Sequence, residues 1–256
     1  MVTRRGVLKG LLATLLAGLF VPLYAFFIEP ALRLRVRNWR LKHPDWPEDK
    51  PLRVAVVADI HMGEPFVTRD RLRRVVARTN ALGADLTVIL GDLIAGHQYV
   101  TEKIPVAETA GILKDLKAPL GVYAILGNHD WWDDLTAQRR RKGPIIAHRA
   151  LEAVGIPVLE NRALELPNGL WLAGIGSQVA LARRGGGFDG VDDLPGTLAQ
   201  VPDGKTAILL AHEPDIIPDV LAKVPLTLAG HTPVSYTHLT LPTKVLVSSD
   251  RRSTAQ

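Results

Sequence analysis

The sequence predicts an α/β fold, and three observations carry that expectation. Short apolar runs of strand composition end abruptly in polar residues, segments of helical period separate the first of them, and the back half turns to a hairpin pattern. The runs cover 52–58, 86–90, 120–126, 208–211 and 226–229, and Arg53 is the one charge among them. Uninterrupted Val, Ile and Leu of this length is the pattern of strands covered on both faces.

At the amino end, Arg4 and Arg5 precede an uncharged run from Gly10 to Ile28. Paired arginines before an apolar stretch are similar to a twin-arginine export signal, and the run approaches the length of a bilayer span. Residues 1–30 are therefore expected to be a retained membrane anchor, inserted through residues 10–28, with the protein on the extracytoplasmic face. Release by cleavage near Leu23-Tyr24-Ala25 is the alternative. Next, Leu32, Leu34 and Val36 alternate with Arg33, Arg35 and Arg37. That period of two predicts a strand with one basic face. Pro44, Pro47 and Pro51 stiffen the rest of this 31–51 linker.

Helices are predicted over 69–82, with Thr68 as cap and Gly83 as stop, over 106–116 and over 144–154. The first two make β-α-β units of the strands around them. Residues 163–166 and 170–173, separated by Pro-Asn-Gly, read as a hairpin. Residues 183–187 (Arg-Arg-Gly-Gly-Gly) read as a flexible loop, and 215–223 as a short helix.

Net charge is +5, but residues 1–42 carry +7 and 233–256 carry +2, leaving −4 on 43–232. A mildly acidic body is not the footprint of a nucleic-acid binder. There is no cysteine, which excludes disulfides and thiolate metal sites. Metal ligands must then be nitrogen and oxygen donors, which suit Mn, Fe, Zn or Mg.

Such donors stand where the strands stop. Asp59 and His61 follow the first run, Gly91-Asp92 the second, and Gly127-Asn128-His129-Asp130 the third. His212 follows the fourth, and Gly230-His231 the fifth. Open α/β sheets place their ligands beyond the carboxyl ends of the strands. In this order the five blocks resemble the calcineurin-like metallophosphoesterases, over roughly residues 50–232. The leader, the loop from Gly127 to Trp132 and the segment around His212 resemble the bacterial exported phosphodiesterase branch.

The resemblance implies two packed mixed β-sheets flanked by helices, a four-layer sandwich spanning 52–232, and two divalent metal ions. Asp59, His61 and Asp92 would hold one ion. Asp92 would bridge to the second, completed by Asn128, His212 and His231. His129 would lie over the phosphoryl group, and Asp130 would orient His129. The implied activity is hydrolysis of a phosphodiester or pyrophosphate by metal-activated hydroxide, with a lipid-linked ester as the first expectation. A soluble nucleotide or phosphodiester hydrolase and a non-catalytic binding protein are the alternatives.

One departure stands out. The family pattern Gly-His-x-His reads Gly230-His231-Thr232-Pro233 here, and proline offers no side-chain ligand. Residues 233–243 read as a translated sequencing adapter, so 233–256 is expected to be non-native and the domain C-terminally truncated. His238 is considered as a substitute ligand, although an unrelated tail has no reason to place it. Outside the blocks, His43, His97, His148 and His238 read as surface or satisfied histidines, with His97 nearest the Asp92 block. Trp131 and Trp132 read equally as core or as a wall beside the site, and Asp133-Asp134 as a solvated turn.

Overall fold

A computed structural model of the chain describes residues 3–24, 34, 36–96, 99–220, 224–231 and 245–247. Helix α1 (Arg4–Leu23) begins at Thr3, whose hydroxyl accepts from the Gly6 amide at 3.2 Å. Leu8, Leu11, Leu15 and Leu19 are each more than 60% exposed, so the helix packs no apolar stripe against the domain. Among the described residues no helix is long and apolar enough to cross a membrane. The apolar run of the sequence continues to Ile28, beyond the described part. The expected basic strand is represented by β1 (Val36–Asn38); Arg33 and Arg35 lie outside the described residues.

The front sheet joins β2 (Val54–Val57), β4 (Leu86–Leu90) and β6 (Val122–Ile125) in the order β2-β4-β6, all parallel. Parallel neighbours need a crossover, usually a helix. Here α2 (Arg69–Asn80) and α3 (Val106–Leu113) provide it. The Thr68 hydroxyl accepts from the Arg71 amide, and Leu72, Val75, Val76 and Thr79 form the buried stripe of α2. The second helix stops three residues short of the expected 116: the Leu116 amide reaches back to the Leu113 carbonyl in a tighter turn, which still buries Leu116. Between the two helices, β3 (Gly63–Glu64) and β5 (Glu102–Lys103) form a small antiparallel ladder.

The back sheet has the order β12-β11-β8-β7. β7 (Arg162–Glu165) and β8 (Trp171–Gly174) are the antiparallel hairpin, while β11 (Ala207–Ala211) and β12 (Leu226–Ala229) add in parallel. Alternation along each strand makes the layers. Val54, Val56, Leu86, Val88, Leu90 and Ile125 meet Leu172, Ile208 and Leu210 between the sheets. Val57, Ile89 and Ala124 face the other way, against α2, α3 and α6 (Ile146–Ala153). Ala173, Leu209 and Ala211 face α7 (Leu194–Leu198) and the 3₁₀ turn Pro214–Asp219. Helix, sheet, sheet, helix is a four-layer α/β sandwich.

Several local expectations change. Residues 183–187 form the turn of a clamped hairpin, β9 (Leu181–Ala182) with β10 (Phe188–Asp189), closed by the Arg183 amide on the Gly187 carbonyl. The helix expected over 215–223 is the 3₁₀ turn, and Lys223 is outside the described residues. Asp133-Asp134 is not a solvated turn. It joins α4 (Asn128–Asp133) to α5 (Leu135–Arg140), and Asp134 is buried because its carboxylate caps α5 and accepts from the Ile146 amide. The chain after His231 lies outside the described residues apart from β13 (Val245–Val247), parallel to β1. Thr232, Pro233 and His238 are therefore not described, and neither is His97.

Candidate metal centre

The carboxyl ends of both sheets open on one rim, and the backbone there is unusual. Six non-glycine residues have φ between 44° and 55°, and four of them are Asp59, His61, Asp92 and His231. Left-handed backbone away from glycine is sparse, costs energy, and gathers at functional sites. It persists here because the loops are cross-tied. The Asp59, His61 and Met62 amides donate to the carbonyls of Gly91, Asp92 and Leu93. Glycine is required twice: a Cβ on Gly91 (φ 84°) would lie 2.2 Å from the Gly127 nitrogen, and one on Gly127 would lie 2.3 Å from Asp92 Oδ1.

Asp130 completes the tie, and its role differs from the one expected. Oδ2 accepts from the Asp92 and Gly127 amides at 2.9 and 3.0 Å, and Oδ1 from the Leu93 amide at 2.9 Å. Both oxygens are spent on backbone, so Asp130 fixes the loops that carry Asp92 and His129 rather than orienting the His129 ring. Burial and the Asp92 charge push its pKa up to about 6, against the pull of those amides.

The donor atoms gather about Asp92. Its Oδ2 lies 3.2 Å from His212 Nε2 and 3.5 Å from His61 Nε2, while Oδ1 accepts from the His129 amide at 2.9 Å. Asn128 Oδ1 lies 3.1 Å from His212 Nε2 and 2.9 Å from His231 Nδ1. Two sets of ligand atoms, His61-Asp92-His129 and Asp92-His212-His231, each lie within 4.8 Å of one another and share Asp92. Asp59 belongs to neither set; its Oδ1 accepts the His231 amide at 3.1 Å. Asp59, His61, Asp92, Asn128, His129, His212 and His231 thus occupy one rim.

The donor chemistry fits a cation. Backbone carbonyls can only accept, so Leu90 O at 2.6 Å and Ile94 O at 3.1 Å take the Nδ1 protons of His212 and His61. Whenever Nε2 is unprotonated, it presents a lone pair to Asp92. His212 Nε2, Asp92 Oδ2 and Asn128 Oδ1 are acceptors facing acceptors, an arrangement that positive charge relieves. The titration behaviour has the same cause. Burial would lower the His212 pKa, but the adjacent Asp92 carboxylate, which attracts a proton onto Nε2, pushes it up to about 10, helped by Glu213 and Asp59. Despite its own burial, Asp92 is held far below the usual carboxylate range by His212, His61 and His129. Burial, joined by the Asp92 charge, raises Asp59. Burial and the neighbouring imidazoles bring His129 down to about 4, so its ring is neutral near pH 7.

The two tryptophans take different places. Trp131 is core, with Nε1 donating to Glu160 at 3.2 Å. Trp132 is a wall: its ring is 5.0 Å from that of His129, and Nε1 donates to the Val179 carbonyl. Sequence reasoning missed Glu213, which is buried behind His212 and accepts from Ser177 Oγ and the Gln178 amide. A carboxylate directly after a strand-end histidine was the available signal. His43 sits by Asp45 at the surface, and His148 lies between Glu152 and Glu160.

A buried carboxylate shared by two sets of imidazoles, at the mouth of a layered α/β sandwich, marks a metal-dependent hydrolase. The calcineurin-like phosphoesterase profile matches residues 52–235, and the chain belongs to that family. Membership makes it a phosphoric ester hydrolase. It is 29% identical to an uncharacterized metallophosphoesterase of Aquifex aeolicus, over 78% of this chain and 69% of that one. To the uncharacterized metallophosphoesterase YkuE of Bacillus subtilis it is also 29% identical, over 90% and 76%. To the UDP-2,3-diacylglucosamine pyrophosphatase LpxG of Chlamydia trachomatis it is 30% identical, over 49% of this chain and 37% of that one.

Proposed function

We propose that this chain hydrolyses a phosphodiester or pyrophosphate with two divalent ions bridged by Asp92, acting on a lipid-linked substrate at the extracytoplasmic face of a membrane. The observation that carries it is the sharing of Asp92 between two imidazole sets. His61, Asp92 and Asp59 would hold one ion, and Asp92, Asn128, His212 and His231 the other. Bound there, two divalent ions neutralise phosphate charge and supply a hydroxide near neutral pH. The chain's own part is positional. Asp130 fixes the loops, Leu90 and Ile94 fix the imidazole tautomers, and the neutral His129 ring donates a hydrogen bond to a phosphoryl or leaving oxygen.

The lipid-linked substrate rests on two supports. The relative LpxG is by name a pyrophosphatase for a diacylated sugar nucleotide. In this chain α1 leaves its leucines, Val7, Phe20 and Val21 exposed and leads into the apolar run ending at Ile28. Flotation of the full chain with liposomes, lost on deleting residues 1–30, is the expected result. Export is tested by Arg4→Lys with Arg5→Lys, which should strand the protein in the cytoplasm.

Catalysis is tested with bis-p-nitrophenyl phosphate: Mn-dependent hydrolysis by the protein with an intact native tail, abolished by Asp92→Asn, is expected. One observation favours a second reading, a non-catalytic binding protein: position 233 carries proline where the family pattern has histidine. Inactivity with every divalent metal in the protein carrying its intact native tail would favour that reading. We hold residues 233–256 to be non-native, and re-sequencing the gene from the Thr232 codon onward decides it.

A further inference from the structure

Starting from His61, four rings follow one another in contact. His61 meets His129 edge-on at 4.8 Å, His129 meets Trp132 at 5.0 Å, and Trp132 stacks on Phe188 at 4.8 Å with 20° between their planes. We propose that Trp132 and Phe188 form a stacking shelf for a planar base, so that the substrate, lipid-linked or not, carries a nucleotide-type group with its phosphorus at the Asp92 rim. This rests on the metallohydrolase reading and names the group that the site recognises.

Four features carry the inference. First, the pair is built rather than incidental. Trp132 is pinned by its hydrogen bond to Val179, and the hairpin bearing Phe188 is clamped to the end of α5. Gln138 donates to the Ala180 carbonyl and accepts from the Ala182 amide, while Arg141 donates to the Ala182 carbonyl and pairs with Asp189. Second, Phe188 is 41% exposed although its ring is stacked. Covering such an exposed phenyl face is favourable.

Third, the pair adjoins the site. From the two centroid distances, Phe188 lies no more than about 10 Å from His129. Fourth, the geometry favours a plane over a chain. An acyl tail is best covered by a concave apolar groove, whereas nearly parallel rings offer a face on which any base can stack. The same hairpin supplies Arg183, tied to Asp189, and Arg184, which makes no ion pair among the described residues. A cation beside such a shelf suits a phosphorylated ligand.

The test is direct binding by calorimetry to the full chain in the presence of Mn, with AMP, ribose 5-phosphate and dodecyl phosphate as probes. AMP should bind roughly tenfold tighter than ribose 5-phosphate, as expected for one stacked base. Phe188→Ala and Phe188→Leu should both erase that ratio, the second because it keeps apolar bulk but loses the ring. Both variants lie at an exposed hairpin position and should melt with the parent. Equal affinities in the parent, an unchanged ratio in Phe188→Leu, or no binding of AMP would overturn the shelf. Preference for dodecyl phosphate would overturn it in favour of an acyl site. The metal reading is scored separately: Asp92→Asn should weaken all phosphate probes while leaving the AMP to ribose 5-phosphate ratio intact, and failure of that weakening counts against the metals, not the shelf.

Discussion

The two halves of the ligand cluster are built differently. On one side His212 and Asn128 are almost wholly buried, and His212 is keyed to a strand carbonyl at 2.6 Å. Behind His212, Glu213 ties the ends of β8 and β11 together. On the other side His61 and His129 are partly open and lie edge to face, and His129 touches the aromatic wall. The contrast teaches a division of labour. On the proposed function, the buried half would hold an ion, and the open half would admit an ester where His129 could meet it.

Asp92 belongs to both halves, so its loss should erase the contrast. Asp92→Ala is expected to cut hydrolysis on the order of a thousandfold or more, and titration calorimetry with Mn should show neither binding event. Next in size is the difference between the halves. His212→Ala should weaken Mn binding roughly tenfold more than His61→Ala, because its ligand is buried and held by second partners. Equal losses in the two titrations would mean that the burial difference has no bearing on affinity.

Asp130→Ala attacks the tie between the loops rather than either half. Three buried amides would lose their acceptor, at about 1–3 kcal/mol for each left unsatisfied. The melting temperature should fall by several degrees, with activity lost even at temperatures where the variant stays folded. A melt matching the parent would show that Asp130 is dispensable for the loops.

The smallest effect lies outside the cluster. The adjacent Glu160 carboxylate, with Glu152, raises the His148 pKa against its burial. A raised folded pKa stabilises fully below the unfolded value of about 6.5 and is lost as pH climbs through the folded one. The parent should therefore lose melting temperature across that window, and His148→Gln should flatten the decline.

Comparing sequence with structure shows what local pattern can carry. The strand-end donors were legible because each is announced by the apolar run immediately before it, and His212 and His231 needed no partner to be seen. Asp130 and Asp134 were misread because their function is written at a distance: Asp130 serves amides 37 and 38 residues away, and Asp134 serves that of Ile146, 12 residues on. Trp132 could not be told from Trp131 for the same reason, since their partners, Val179 and Glu160, lie 47 and 29 residues downstream. The 183–187 turn looked loose because glycine composition hides a clamp supplied by Gln138 and Arg141.

The left-handed backbone at Asp59, His61, Asp92 and His231 has an evolutionary price tag. Each such residue carries a penalty of about 1–2 kcal/mol that glycine escapes. Selecting this protein for heat resistance alone would thus reward His61→Gly or His231→Gly, relaxing the chain while emptying its chemistry. A lineage freed from turnover should drift toward sturdier, inert descendants through those same positions.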